Sequence, residues 1–246
     1  MGSLVFAFRK LAVITVSLPL FSFLFCILWS LLYNFKSSTA THCHVPNYLP
    51  SISSAIGGFK PQMYVWQVGI GLHATPRFLI VAMYCSFYKE GLHKEKLWQR
   101  LGILTSVLHA VENICLIGLT YVSSSDNHTA HVKLFVTFVL SSCFYMFLSC
   151  ILPRYTFRRK LTLLEQKSLK TKLVLTTMNV TALLGACYFF MRHNWYCEAG
   201  VYTLFAFCEY IVVLTNMGFH ATAYWDFSDY QLVVHSVKIN AKKKVR

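Results

Sequence analysis

Charge is scarce in this chain. Only 13% of its 246 residues are Asp, Glu, Lys or Arg, against 56% apolar, a balance too poor in polar side chains for a soluble domain. No internal repeat, coiled-coil heptad or low-complexity segment is present, so nothing argues for a second domain. The HExxH, GxSxG and P-loop signatures are missing, which leaves zincin, α/β-hydrolase and nucleotide-phosphate chemistry without a motif. Inverted repeats and paired interrupted helices are lacking too, which counts against a transporter.

What the chain does have is six long apolar runs, at 11–33, 63–87, 101–121, 132–152, 173–191 and 201–220. About 20 such residues cover the hydrocarbon core as a helix, the form in which backbone amides are satisfied inside lipid. The expected fold is therefore all-α, a single six-transmembrane-helix bundle over residues 1–246. The first run is longer than the roughly 7–15 residues of a signal-peptide core and reads as a retained anchor.

The net charge of +14 would suit nucleic acid, but the basic residues sit in short loops, and in alternate ones. Arg9 and Lys10 precede the first run. Lys89, Lys94, Lys96 and Arg100 follow the second, seven Lys and Arg from Arg154 to Lys172 follow the fourth, and Lys238 to Arg246 close the chain. The intervening loops hold Lys36 and Lys60, then nothing basic between 123 and 132, then Arg192 alone. The positive-inside rule places both termini in the cytosol, residues 34–62 as a lumenal capping loop and 221–246 as a basic cytosolic tail. No nucleic-acid partner is expected. Lys243 and Lys244 stand where a dilysine retrieval signal would stand, although a basic tail drawn to anionic lipid explains them equally well.

In the 34–62 loop, Pro46, Pro50, Gly57, Gly58 and Pro61 favour turns over a continuous helix, while Val45, Tyr48, Leu49 and Ile52 offer apolar contacts for a cap. Of nine cysteines only Cys43 and Cys197 fall in lumenal loops, where an oxidising compartment would let them pair. The others read as small packing residues. Asn127-His128-Thr129 is a glycosylation sequon in a very short loop, and the match at Asn179 lies inside a span.

Ionisable groups inside spans cost roughly 2.5 kcal/mol or more at mid-bilayer and therefore face the bundle interior. His73 and Arg77, four apart beside Pro76, share one face; so do His109, Glu112 and Asn113; Glu209, Asn216 and His220 form a stripe. His73, Glu112 and Glu209 each lie some 12–17 Å from the lumenal ends of their runs at 1.5 Å per residue, which predicts that they meet in one interior pocket. Arg192, His193, Asn194 and Glu198 crowd the lumenal end of the last two runs, where a guanidinium such as Arg192 suits a phosphate. An Arg77–Glu112 or Arg77–Glu209 pair would serve equally to neutralise buried charge and hold helices together. His109-x-x-Glu112 is too common a spacing to mark a metal site, and neither a metal nor a cofactor is expected. A histidine with a carboxylate beside it is compatible with general-base activation of a hydroxyl.

Several strings together carry a resemblance. Thr41-His42-Cys43, Gly71-Leu72-His73 with Pro76-Arg77, and Val111-Glu112-Asn113 are followed by Arg192-His193-Asn194, Tyr196-Cys197-Glu198, Glu209-Tyr210, Thr215-Asn216-Met217 and Trp225-Asp226-Phe227. In this order and spacing they resemble the FGF-receptor-activating-protein/DRAM membrane family over about residues 11–230, with 155–172 matching poorly. The resemblance implies a multi-pass protein of the Golgi and endoplasmic reticulum membranes acting in lipid remodelling of GPI anchors. In that process lyso-GPI is reacylated at sn-2 with a saturated chain, and the resemblance leaves open an acyltransferase or a required non-enzymatic component. Implied partners are GPI-anchored proteins, lyso-GPI, membrane lipids and other GPI-remodelling enzymes; the acyl donor, acyl-CoA or phospholipid, is open. From their shared face and depth, His73 or His193 is expected as base, oriented by Glu112 or Glu209, with Arg77 and Arg192 on phosphate or oxyanion. His109, Asn113, Glu198 and Asn216 complete the expected binding set.

Overall fold

The computed structural model of the chain describes residues 3–157 and 159–235; Arg158 and everything from 236 onward, the Lys243-Lys244 pair included, lie outside the described residues. Among the described residues, six helices are long and apolar enough to cross a membrane. They are α1 (Phe8–Tyr33), α4 (Gln62–Gly91), α5 (Lys96–Tyr121), α6 (His128–Thr156), α7 (Leu163–Tyr196) and α8 (Val201–Ala221). Short helices α2 (Phe35–Ser38) and α3 (Ile52–Gly57) interrupt the first long loop, and α9 (Ala223–Asp226) follows α8.

Several helices outrun their apolar cores because their first turns are capped by side chains. Thr162 and Glu165 form a reciprocal capping box at the start of α7, with Arg159 forked onto Glu165 at 2.6 and 2.8 Å. The helix can thus begin in the polar stretch ahead of residue 173. Asn127 caps α6 by accepting the Ala130 N–H at 3.0 Å, so the sequon asparagine is the residue that starts that helix. α4 runs unbroken through Pro76.

The first and last described segments lie together at one end of the bundle. β1 (Ser3–Ala7) pairs antiparallel with β2 (Gln231–His235), and the edge-to-face contact of Phe8 with Phe227, 5.1 Å between centroids, fastens them to the bundle. The residues just after α8 are therefore folded back rather than trailing: Ala223, Asp226 and Phe227 are buried.

The interior is layered. At the termini end, Phe8, Ile80, Tyr84, Tyr88, Leu92, Leu152 and Phe227 form one apolar core. Toward the opposite end, Phe23, Cys26, Ile27, Trp66 and Ile70 form another, and Ala55 and Ile56 of α3 are buried in it. The 34–62 loop thus plugs that end of the bundle. Close approach of α1 and α4 depends on Gly69, where a Cβ would stand 2.0 Å from Ser22 Oγ and 3.3 Å from the Leu18 carbonyl. Between the two cores lies a polar layer.

Candidate functional site

Four helices and one backbone carbonyl build the polar layer. Arg77 and His73 sit one turn apart on α4, His109, Glu112 and Asn113 on one face of α5, and Asn216 and His220 one turn apart on α8. Ser142 and Tyr145 come from α6. All nine side chains are buried, Arg77 at 3% and His109, Glu112, Asn113 and Tyr145 at 0% exposure.

Arg77 is the centre. Its Nη2 forms an ion pair with Glu112 Oε2 at 2.9 Å and donates to His220 Nε2 at 2.6 Å, and its Nη1 reaches His73 Nε2 at 3.3 Å. Nε lies 3.5 Å from His109 Nε2. A guanidinium only donates, so each facing imidazole nitrogen must offer a lone pair. His220 Nε2 also lies 3.1 Å from Glu112 Oε1, so three imidazoles and one carboxylate surround one cation. The tautomer of His73 is fixed from behind, because its Nδ1–H donates to the Thr15 carbonyl of α1 at 2.6 Å. Asn216 Nδ2 donates to Glu112 Oε1 and Ser142 Oγ, both at 2.8 Å, holding the carboxylate toward Arg77.

The rings are stacked. His109 lies 4.4 Å from Tyr145, and Tyr145 is parallel to His220 within 6°. Among the described residues, His109 Nδ1, Glu112 Oε2, Asn113 Oδ1 and the Tyr145 hydroxyl have no hydrogen-bond partner. His109, Glu112 and His220 place ligand atoms within 4.8 Å of one another, a spacing open to a metal ion. Arg77 stands among all three, and its fixed charge would oppose a divalent cation there.

The expected meeting of His73, Glu112 and Glu209 is only half met. His73 and Glu112 belong to one cluster, but Arg77 stands between them, and the partners of Glu112 are Arg77, Asn216 and His220 rather than His73. Glu209 lies elsewhere: its Oε2 accepts the Ile52 N–H at 3.2 Å, at the first residue of α3. Its face of α8 is the same as that of Asn216 and His220, but it sits about 10 Å further along the axis. Counting residues inward gave the correct face and missed the plug, which enters at that level and takes the carboxylate.

His193 is also separate. Its Nε2 lies 3.1 Å from Thr41 Oγ1, and its ring packs 4.9 Å from Tyr202. Beside it Cys43 and Cys197 are joined in a disulfide with Cα atoms 5.3 Å apart, which ties the plug to the α7–α8 turn. His42, Cys43 and His193 also cluster with metal-ligand spacing, but the disulfide removes the thiolate that a metal would take. Arg192 is forked onto Glu198 at 2.6 and 2.9 Å and donates to the Tyr188 hydroxyl at 2.8 Å. Hydrogen bonding from Arg192 holds the Glu198 carboxyl below the usual carboxylate range.

A second buried ion pair escaped the sequence reading. Lys172 of α7 pairs with Asp226 of α9, which also accepts the Tyr84 hydroxyl at 2.6 Å. Counted among loop and tail charges, both are nearly inaccessible. The aromatic neighbours Trp225 and Phe227 and the apolar run after Lys172 were the signals available. Tyr145 carried none, being one aromatic residue among many. Asn179 is an interhelical tie, donating to the Val212 carbonyl at 2.8 Å and to Thr215 Oγ1 at 2.9 Å.

Fold and site together define a polytopic α-helical membrane protein whose bundle buries an arginine ringed by imidazoles and a carboxylate. The chain belongs to the Frag1/DRAM/Sfk1/Cwh43P N-terminal domain family, whose profile matches residues 7–230. It is 50% identical over 229 residues to "Acyltransferase PGAP2" of Xenopus tropicalis, covering 93% of this chain and 91% of that protein. It is 48% identical to "Post-GPI attachment to proteins factor 2" of Drosophila pseudoobscura pseudoobscura, covering 89% and 86%. A protein of the same name from Caenorhabditis elegans is 39% identical, covering 93% and 89%. No solved structure shows significant similarity to the chain.

Proposed function

We propose that this chain acts in GPI-anchor maturation in secretory-pathway membranes, the Golgi and endoplasmic reticulum, and transfers a saturated acyl chain to the sn-2 hydroxyl of lyso-GPI. The plugged end faces the lumen and both termini face the cytosol, as the distribution of basic residues supports. The names of the frog and fly relatives support the pathway, and the frog name supports the reaction class. The observation that carries an enzymatic reading is the buried cluster of three imidazoles around Arg77, which sets proton acceptors beside a fixed cation.

In the transfer, the sn-2 oxygen attacks the donor's carbonyl carbon, and its proton passes to an imidazole. The bond from that carbon to the donor's leaving sulfur or oxygen breaks, and the leaving atom takes up the proton. His109 is the base the geometry favours: its Nε2 meets Arg77 at 3.5 Å, the longest of the four contacts, so its lone pair is the least engaged. Arg77 supplies an N–H to the carbonyl oxygen as negative charge develops there. Glu112 and His73, which is anchored on Thr15, hold Arg77 in place.

A second reading has a specific observation in its favour: Arg77 already has four acceptors around it and is buried, as expected of a strut in an accessory protein. Purified full-length chain in liposomes containing lyso-GPI and a labelled donor, given once as a CoA thioester and once as a phospholipid, separates the two. Transfer by the wild type, reduced about 10²–10⁴-fold in His109→Ala, is expected. Transfer only after a second protein is added would establish the accessory role.

A further inference from the structure

The Arg192–Glu198 fork lies at the edge of a groove of about 420 Å³ on the outer face of α7, at the plugged end. Its walls are Tyr188, Met191, Arg192 and Trp195, one stripe of α7 at helical spacing, with Tyr196 and Glu198 closing the end. Trp195 and Tyr196 are 72% and 69% exposed. A belt of Trp and Tyr at a membrane interface would account for the aromatics alone. It would not account for a concave site with a cation and a carboxylate on the same wall, each held in position.

That position is well determined. Arg192 spends three N–H groups, two on Glu198 and one on the Tyr188 hydroxyl, and keeps two for a ligand. Both Glu198 oxygens are engaged by Arg192 and keep further lone pairs. Glu198 follows directly on Cys197, which the disulfide fixes to Cys43, and the α7–α8 turn is drawn onto the plug by the Gly200 N–H bond to the Pro46 carbonyl, 2.9 Å. Because the one cation and the one anion of the groove neutralise each other, its field does not select a phosphate. Exposed aromatic faces flanked by paired donors and acceptors suit a neutral ring that has C–H groups on its faces and hydroxyls on its rim.

We infer that this groove binds a hexose of the GPI glycan and so selects glycan-bearing lipid over simple lysophospholipid. The inference rests on the proposed role in GPI maturation for the identity of the sugar. A guanidinium reserved for phosphate, the expectation from sequence, is replaced by a guanidinium neutralised in a sugar subsite.

The test uses full-length protein in detergent micelles, with Trp195 fluorescence and saturation-transfer NMR as readouts and two soluble probes, an α-linked mannotriose and myo-inositol 1-phosphate. Mannotriose should bind and transfer saturation from the aromatic rings. Glu198→Gln should weaken it about tenfold through loss of charged hydrogen bonds, and Trp195→Ala should abolish it. Survival of the Cys43–Cys197 disulfide on non-reducing gels shows that each variant is folded. Binding of inositol phosphate without mannotriose would make this a phosphate site and overturn the inference, as would equal mannotriose binding by wild type and folded Trp195→Ala. Micelles without any bound probe would leave only an interfacial belt and equally overturn it. Failure of acyl transfer in liposomes would refute the proposed reaction without altering any of these binding results.

Discussion

Among the described residues two cation–carboxylate pairs are buried on both sides, and they are built differently. Lys172–Asp226, toward the termini, is joined by one phenol, Tyr84, with the ammonium over the rings of Tyr84 and Phe219. Its hydrogen-bonding neighbour is a phenol, and the pair joins α7 to α9 and α4. Arg77–Glu112 is instead surrounded by His73, His109 and His220, side chains that ordinarily exchange protons in the physiological range. A fixed clamp needs no such neighbours. On the proposed function, the middle layer is where chemistry is expected and the termini end supplies mechanical closure.

The largest expected effect is on turnover. His109→Ala should cut acyl transfer about 10²–10⁴-fold while leaving the protein folded, read as labelled product in liposomes; loss of fold instead would make His109 a packing residue. Next come the single charge deletions. Arg77→Met and Lys172→Met each strand a buried carboxylate and should cost about 3–5 kcal/mol, measured by denaturant unfolding in micelles. Removing both partners should reverse most of that loss at either site, so the paired variants sharpen the comparison. Lys172→Met with Asp226→Leu should recover stability and activity, whereas Arg77→Met with Glu112→Gln should recover stability alone.

Glu209→Gln should have a smaller effect, about 1 kcal/mol, since an amide oxygen can still accept the Ile52 N–H. A loss of activity comparable to that of His109→Ala would return Glu209 to the reaction. The smallest effect concerns pH. Glu198 is held low, so the fork it contributes is complete above the ordinary carboxylate pKa and is lost only as pH falls through the depressed value. Mannotriose binding should therefore be flat from about pH 7 to about pH 5, and a midpoint inside that window would contradict the fork.

Much of this was legible in the sequence. Apolar runs gave six spans because lipid forces every span into a helix, and the scarcity of intramembrane charge made Arg77, His73, Glu112 and His109 conspicuous. Helical spacing put each on the correct face. Axial level was not legible. Glu209 shares a face with Asn216, but the 34–62 segment folds into the bundle and meets the carboxylate first, a packing outcome that no periodicity encodes. Lys172 and Asp226 were hidden for the opposite reason: they lie at run ends, where charge normally means solvent, and only the fold-back of 223–235 buries them.

The most direct measurement is the GPI lipid composition, by mass spectrometry, of cells that lack the endogenous factor and express one of three proteins. Wild type and Lys172→Met/Asp226→Leu should restore saturated sn-2 chains, while a stably expressed, disulfide-bonded Arg77→Met/Glu112→Gln protein should leave lyso-GPI unacylated. Full restoration by the Arg77→Met/Glu112→Gln protein would show that the middle layer is only a strut.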